Sequence, residues 1–216
     1  MDAESAIRSR RSIRKFRPDP VPRDLIRQVL DTARWSPSWA NTQCWGVIVV
    51  DGPAVDRIRK EFRRLAEHGL PGVPDFAMPR HWPPALQARS GGLVKALSAA
   101  RDASRLPTPA ATMLDFFGAP CLLLVTVDKD LVADYACFDA GLFVQSLCLA
   151  AHAQGLGTCI MARAVRYPEV LREMLPGAAG RKFVIGLALG YPDPDSPLNA
   201  FERPRASLDE IVSFVG

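Results

Sequence analysis

Six cations, Arg8, Arg10, Arg11, Arg14, Lys15 and Arg17, fall within ten residues near the start of the chain, with no acid among them. Like charges this dense repel, so a fold that gathers them needs something anionic to offset them. In an extended segment Arg10, Ser12 and Arg14 project to one side, because side chains alternate. Two guanidinium forks with a hydroxyl between them suit a phosphate monoester, whose oxygens arginine binds in pairs. A basic strip left in solvent, or a weak nucleic-acid patch, is the competing reading of this segment taken alone. Near the other end, Arg203 and Arg205 stand in FERPRASLDEIV and could meet the same phosphate if the two termini converge. Between these clusters, Ser36-Pro37-Ser38-Trp39-Ala40-Asn41-Thr42-Gln43 sets hydroxyls, two amides and an indole just ahead of an apolar run. Loops at strand ends are where a rigid scaffold holds recognition groups. Asn41 and Gln43 each offer donors and an acceptor, which suits the mixed edge of a heterocycle. Ordinary turn chemistry accounts for the same residues.

Other chemistries lack their signatures. Cys44, Cys121, Cys137, Cys148 and Cys159 form no C-x-x-C pair and several lie in apolar runs, so buried reduced thiols are expected. His68, His81 and His152 show no H-x-x-x-H spacing, so no zinc site is expected. There is no G-x-S-x-G, no Walker loop, no G-x-G-x-x-G, and no convincing acid/base pair or nucleophile. The net charge of +4, from 27 basic and 23 acidic residues, is a small excess for a nucleic-acid binder of 216 residues. With 48% apolar residues the chain is too hydrophobic to be disordered. No run approaches the ~18 uninterrupted apolar residues of a membrane span. The opening MDAESAIRSRRSIRKF lacks the apolar core of a signal peptide, so a cytoplasmic setting without membrane contact is expected.

The positioning elements follow from periodicity. A short helix over about 2–9 precedes the extended RRSIRKF, and Pro18, Pro20 and Pro22 bar helix until Pro22 can open one. Leu25, Ile26, Val29, Leu30 and Ala33 then recur at helical spacing to about Arg34. WGVIVVD (45–51), CLLLVTV (121–127) and KFVIGLALG (182–190) read as buried strands. A helix carries Val55, Ile58, Phe62 and Leu65 on one side, and another spans about 85–105. Residues 68–84, dense in proline and holding Phe76 and Trp82, read as a surface flap. The segment 134–154 is apolar nearly all round, which predicts a central, buried helix, capped by Gly155 and placed against a second subunit. GLGTCIMA reads as a short connecting segment, followed by a helix opening at Tyr167-Pro168. The proline-rich tail carries a capping-box pattern at Ser207–Glu210. No repeat or composition break marks a second domain, so 1–216 reads as one domain.

Taken in order, RRSIRKF, SPSWANTQCW, FFGAP, the GLG ahead of a short strand, and LGYPDPDSPLNAF with an arginine after it resemble the FMN-dependent nitroreductase family. The likeness runs from about residue 7 to 212, and the PSWANTQ version resembles the branch acting on nitroaromatic compounds. The resemblance implies an α+β fold, a three-layer α/β/α sandwich around a mostly antiparallel sheet, assembled as an intertwined homodimer with FMN in two interface clefts. It implies that Arg10, Ser12, Arg14 and Arg205, with Arg203, hold the phosphate and ribityl chain, and that Arg11 lies near the flavin ring. Pro37, Ser38 and Trp39 match a loop given by the other subunit, and Asn41 and Gln43 match polar positions after it. Ile160, Met161 and Ala162 match the segment against the isoalloxazine. Cys44 stands where proline is frequent, as does Ile160, and Ala162 lies near a frequent acidic position. The implied activity is a ping-pong reduction of nitroaromatic or quinone-like molecules by NADH or NADPH, with the protein supplying no catalytic side chain and the cofactor carrying the hydride. A flavin-dependent dehydrogenase or dehalogenase on the same fold, or a non-catalytic flavin-binding protein, is the alternative.

Overall fold

The structure is a computed structural model that describes residues 1–79, 81–104 and 109–216. Arg80, inside the proline-rich stretch, and Arg105, the end of the helix expected over 85–105, lie outside the described residues. In chain order the elements are α1 (Ala3–Ser9), α2 (Arg23–Ala33), β1 (Trp45–Asp51), α3 (Pro53–Glu67), α4 (Pro84–Ser104) and α5 (Pro109–Leu114). There follow β2 (Cys121–Asp128), α6 (Ala133–Ala153), β3 (Gly157–Met161), α7 (Pro168–Met174) and β4 (Arg181–Gly190).

The four strands form one antiparallel sheet in the order β1-β2-β4-β3. β2 is buried on both faces, and alternation divides its side chains between two cores. Leu122 and Leu124 join Ile58 and Phe62 of α3 and Leu171 of α7. Leu123 and Val125 join Ile26 and Val29 of α2 and Phe143 and Leu147 of α6. The result is the expected three-layer sandwich. Against β2, β4 carries one extra residue between Phe183 and Ile185, a bulge that takes the Phe183 N–H out of the ladder.

β3 is the short strand that the family resemblance implies after GLG, where the apolar pattern alone gives only a short segment; pairing with Leu187 and Ala188 of β4 makes it one. One expectation changes. α6 is not buried all round. Phe143, Leu147 and Cys148 are enclosed, but Tyr135, Phe138, Gly141 and Gln145 form an exposed stripe at helical spacing, with nothing within 4 Å of a Cβ built on Gly141. α2 and the sheet cover only one side of a helix that is apolar on both. By length and composition α6 is also the one helix among the described residues that could cross a membrane, although half of that stretch is buried inside the protein.

Both sheet edges bear on function. Among the described residues, the outer edge of β1 has no strand beside it. At the other edge the N-terminal segment runs beside β3: Ser12 bridges Thr158, and the Ile13 N–H donates to the Thr158 carbonyl at 2.9 Å. Gly157 lets it come this close, since a Cβ there would meet Ile13 Cγ1 at 2.5 Å.

Candidate functional site

α1 is capped by Asp2, whose carboxylate accepts the Ser5 N–H at 2.9 Å, and it ends where Arg10 turns extended. From there the cationic segment runs along β3 and meets the C-terminal tail. Asn199 joins them: its Oδ1 accepts the Arg14 N–H at 2.8 Å, and its Nδ2 donates to the carbonyls of Lys15 (2.8 Å) and Asp193 (2.9 Å). Arg11 reinforces the junction, Nη1 donating to the Asn199 carbonyl at 2.5 Å and Nη2 to the Phe201 carbonyl at 2.9 Å. Arg203 reaches back to the carbonyls of Arg8 and Arg10.

Arg10, Arg11, Ser12, Arg14, Arg203 and Arg205 thus line one cavity of about 120 Å³, closed by Leu93, Leu198, Asn199 and Phe201. Arg14 lies over the Phe201 ring at 5.4 Å. Among the described residues none of these five arginines pairs with a carboxylate; Arg11, Arg14, Arg203 and Arg205 donate to backbone carbonyls. Arg10 Nε is buried without a hydrogen-bond partner. Burial pushes the Arg14 guanidinium below its ordinary pKa, and Arg11 adds to the effect. Burial likewise lowers Arg203, helped by the charges of Arg11, Arg205 and Arg10. Five unmatched cations around a small cavity, one with an idle buried donor, make a receptor for a multiply charged oxyanion.

β3 serves as a ruler from this cavity. Thr158 adjoins Ser12, and four residues later Ala162 lies about 13 Å along the strand. Ile160 is 42% exposed while Met161 is buried in the core, as alternation requires.

The loop 36–43 lies elsewhere. Its Trp39 N–H donates to both carboxylate oxygens of Asp139, at 3.2 and 3.1 Å, and the Trp39 ring stands 5.4 Å from that of Tyr135. Ala40, Asn41 and Gln43 all have left-handed backbone (φ 49°, 57° and 49°), a conformation asparagine tolerates and the other two pay for. Ser38 Oγ accepts the Gln43 N–H at 2.8 Å, and Gln43 Nε2 donates to Asn41 Oδ1 at 3.2 Å. Pro37 is exposed and Trp39 is 66% exposed. Asp139 anchors this loop near the start of α6, whereas Ser9 Oγ meets His152 Nε2 (2.8 Å) near its end, beside Arg10. Thirteen helical residues separate the anchors by about 20 Å, so one protomer does not unite the loop with the arginine cavity.

Asn199 and His152 were not singled out by sequence reasoning. The LNAF of the tail was a signal for Asn199; a lone histidine on an apolar helix gave none for His152. The expectation of buried reduced thiols holds for Cys121, Cys148 and Cys159, whereas Cys44 and Cys137 are only half-buried; burial lifts Cys121 to about 12 and Cys159 to about 11.

The model of the Nitroreductase family matches residues 7–191. Over its whole length the chain is 32% identical to a 4-nitrobenzoate reductase of Pseudomonas putida, spanning 96% of that protein. Over 98% of its length it is 35% identical to nitroreductase NfnB of Mycolicibacterium smegmatis, spanning 92% of it. Among solved structures it resembles the FMN-dependent nitroreductase NfnB from Mycobacterium smegmatis in complex with NADPH, with a TM-score of 0.90 at 31% identity over 99% of this chain and 98% of that one.

Proposed function

The chain belongs to the nitroreductase family, and from that premise we propose that it is an FMN-dependent oxidoreductase that takes electrons from NADPH or NADH and reduces nitroaromatic compounds. The observation that carries the reading is the arginine cavity, with five guanidinium groups and no carboxylate among the described residues that answers them. FMN brings a phosphate to such a cavity and, when bound, supplies the redox chemistry by accepting a hydride from the nicotinamide and passing reducing equivalents to the second substrate.

The protein's own work is binding, orientation and exclusion of water. Arg10, Arg14, Arg203 and Arg205 hold the phosphate, with Ser12 between them. Arg11 acts on them through Asn199 and Phe201, tying the two termini into one cradle. Ile160, Met161 and Ala162 lie against the ring system, and Ile160 offers the exposed aliphatic face a flat heterocycle packs on. Residues 72–79 of the flap wall the adjoining space. No side chain is asked to be nucleophile or proton shuttle, in keeping with thiols held protonated by burial.

A homodimer completes the site. The stripe Tyr135, Phe138 and Gly141 on α6, the open edge of β1 and the exposed Ile211, Phe214 and Val215 of the tail are apolar or unpaired surfaces that a second copy covers. The partner's copy of the loop brings Pro37, Ser38, Trp39, Asn41 and Gln43 to the flavin. A cytoplasmic setting fits five unpaired cysteines.

Anaerobic titration tests the proposal. The purified protein is expected to be yellow, to bleach on adding NADPH or NADH, and to regain colour on adding a nitrobenzoate. A yellow protein that neither nicotinamide bleaches would be a flavin carrier instead, and a colourless one that FMN cannot reconstitute would remove the proposal.

A further inference from the structure

A second cavity, of about 730 Å³, opens beyond the end of β3. One wall is the flap, with Val73, Pro74, Met78 and Pro79; the facing wall is the 3-10 turn Ala162–Val165 that follows β3, presenting Ala162, Arg163 and Arg166. The charge here is unbalanced in a specific way. Asp75, the one acid in the lining, is already committed: both its oxygens lie 2.6 Å from Arg172 Nη2, and Oδ2 accepts the Phe183 N–H at 2.7 Å. Neither Arg163 nor Arg166 forms an ion pair among the described residues, and Arg166 Nε is buried without a hydrogen-bond partner. The stem of Arg166 is clamped: a Cβ at Gly72 would fall 2.0 Å from its Cγ, so flap backbone packs directly on it, and its guanidinium lies 5.5 Å from the Tyr167 ring centre. An arginine held this way has lost its rotamer freedom before any ligand arrives.

We propose that Arg163 and Arg166 are specificity-determining residues that select aromatic substrates bearing a carboxylate. This rests on the nitroreductase reading, which sets Ile160–Ala162 against the flavin and so makes the neighbouring cavity the substrate's. The aliphatic flap wall takes the face of a ring, and the two guanidinium groups at its end take an anion in charge-assisted bonds. A neutral ring of the same shape gains the wall but leaves the cations unanswered. The phosphates of the nicotinamide donor are the other oxyanions available. The 2′-phosphate of NADPH hangs at the far end of the dinucleotide from the nicotinamide, and the pyrophosphate is common to NADPH and NADH. The binding of benzoate, which involves no nicotinamide, separates them from a substrate carboxylate.

The test compares 4-nitrobenzoate with its methyl ester, and benzoate with methyl benzoate as non-reacting binders, on the FMN-loaded protein and on Arg163→Gln, Arg166→Gln and the double variant. The wild type is expected to prefer each acid over its ester by at least tenfold, in kcat/KM and in Kd. The double variant is expected to lose that preference while its ratio of kcat/KM for NADPH over NADH stays put. An acid-to-ester ratio that the variants leave unchanged, or a drop confined to the NADPH-over-NADH ratio, would overturn the assignment. If the wild type reduces neither nitro compound, the nitroreductase reading fails, and the benzoate binding ratio still decides what the two arginines recognise.

Discussion

At His152 the field of the arginine cavity acts on a group that titrates near neutrality. Burial, then Arg10 and Arg203, push its pKa below the ordinary histidine value. It lines a separate cavity of about 440 Å³ that adjoins the arginine cavity at Arg10 and Arg11 and also holds Asp193. A histidine depressed in the fold binds its proton more readily in the unfolded chain. It therefore favours the fold above its unfolded pKa of about 6.5, and that stability is lost as pH falls. Thermal melts of flavin-free protein are expected to fall in Tm as pH drops below that value, more in the wild type than in His152→Gln; parallel pH profiles would contradict this. The same residues show what sequence makes legible. Six cations in ten positions raise an anion site as one reading beside a solvated basic strip, and the arginines of the tail, set against them by the fold, favour the first. His152 and Asn199 gain meaning only where α6 and the tail deliver them, and a single polar residue carries no spacing to read.

Among the elements, the flap has its strongest tether at Asp75. Asp75 binds Arg172 of α7 and the Phe183 N–H freed by the β4 bulge, and the Tyr167 hydroxyl donates to the Leu70 carbonyl at 3.2 Å. The carboxylate is mostly shielded, its side chain only 12% exposed. Asp75→Ala is expected to cost about 2–3 kcal/mol, because it leaves the Phe183 N–H without a partner and takes from Arg172 its shielded carboxylate, leaving it only Glu169 and the Arg181 carbonyl. Denaturant melts would measure that cost, and limited proteolysis should then cut first within residues 68–84; unchanged stability and cleavage would show that the pair does not hold the flap. β1, β2 and β4 are legible to within a residue because each is a continuous apolar, β-branched run. β3 is not: GTCIM has too little apolar length, and only its partner β4 makes it a strand. α6 was legible as a helix but not in its burial, since periodicity cannot say which side a second chain covers.

For the whole molecule, a complete site needs two copies. The loop 36–43, anchored at Asp139, and the Ser9–His152 contact beside Arg10 sit about 20 Å apart along α6, and the exposed stripe at the loop end of that helix carries Phe138, 66% exposed. The protein is expected to elute at twice its 23.6 kDa mass. Phe138→Glu should shift it toward the monomer and lower its flavin content together; a monomeric wild type with full flavin would contradict the shared site. The central claim, that guanidinium groups from both termini grip the phosphate of a flavin, is tested most directly by comparing FMN with riboflavin, which differs only by that phosphate. On flavin-free protein, FMN is expected to bind at least a hundredfold more tightly than riboflavin. The gap should close in Arg10→Ala combined with Arg205→Ala, and persist in Lys129→Ala at the opposite end of the sheet, where the Lys129 N–H bonds the Gly180 carbonyl. Equal affinity for FMN and riboflavin in the wild type would contradict the claim.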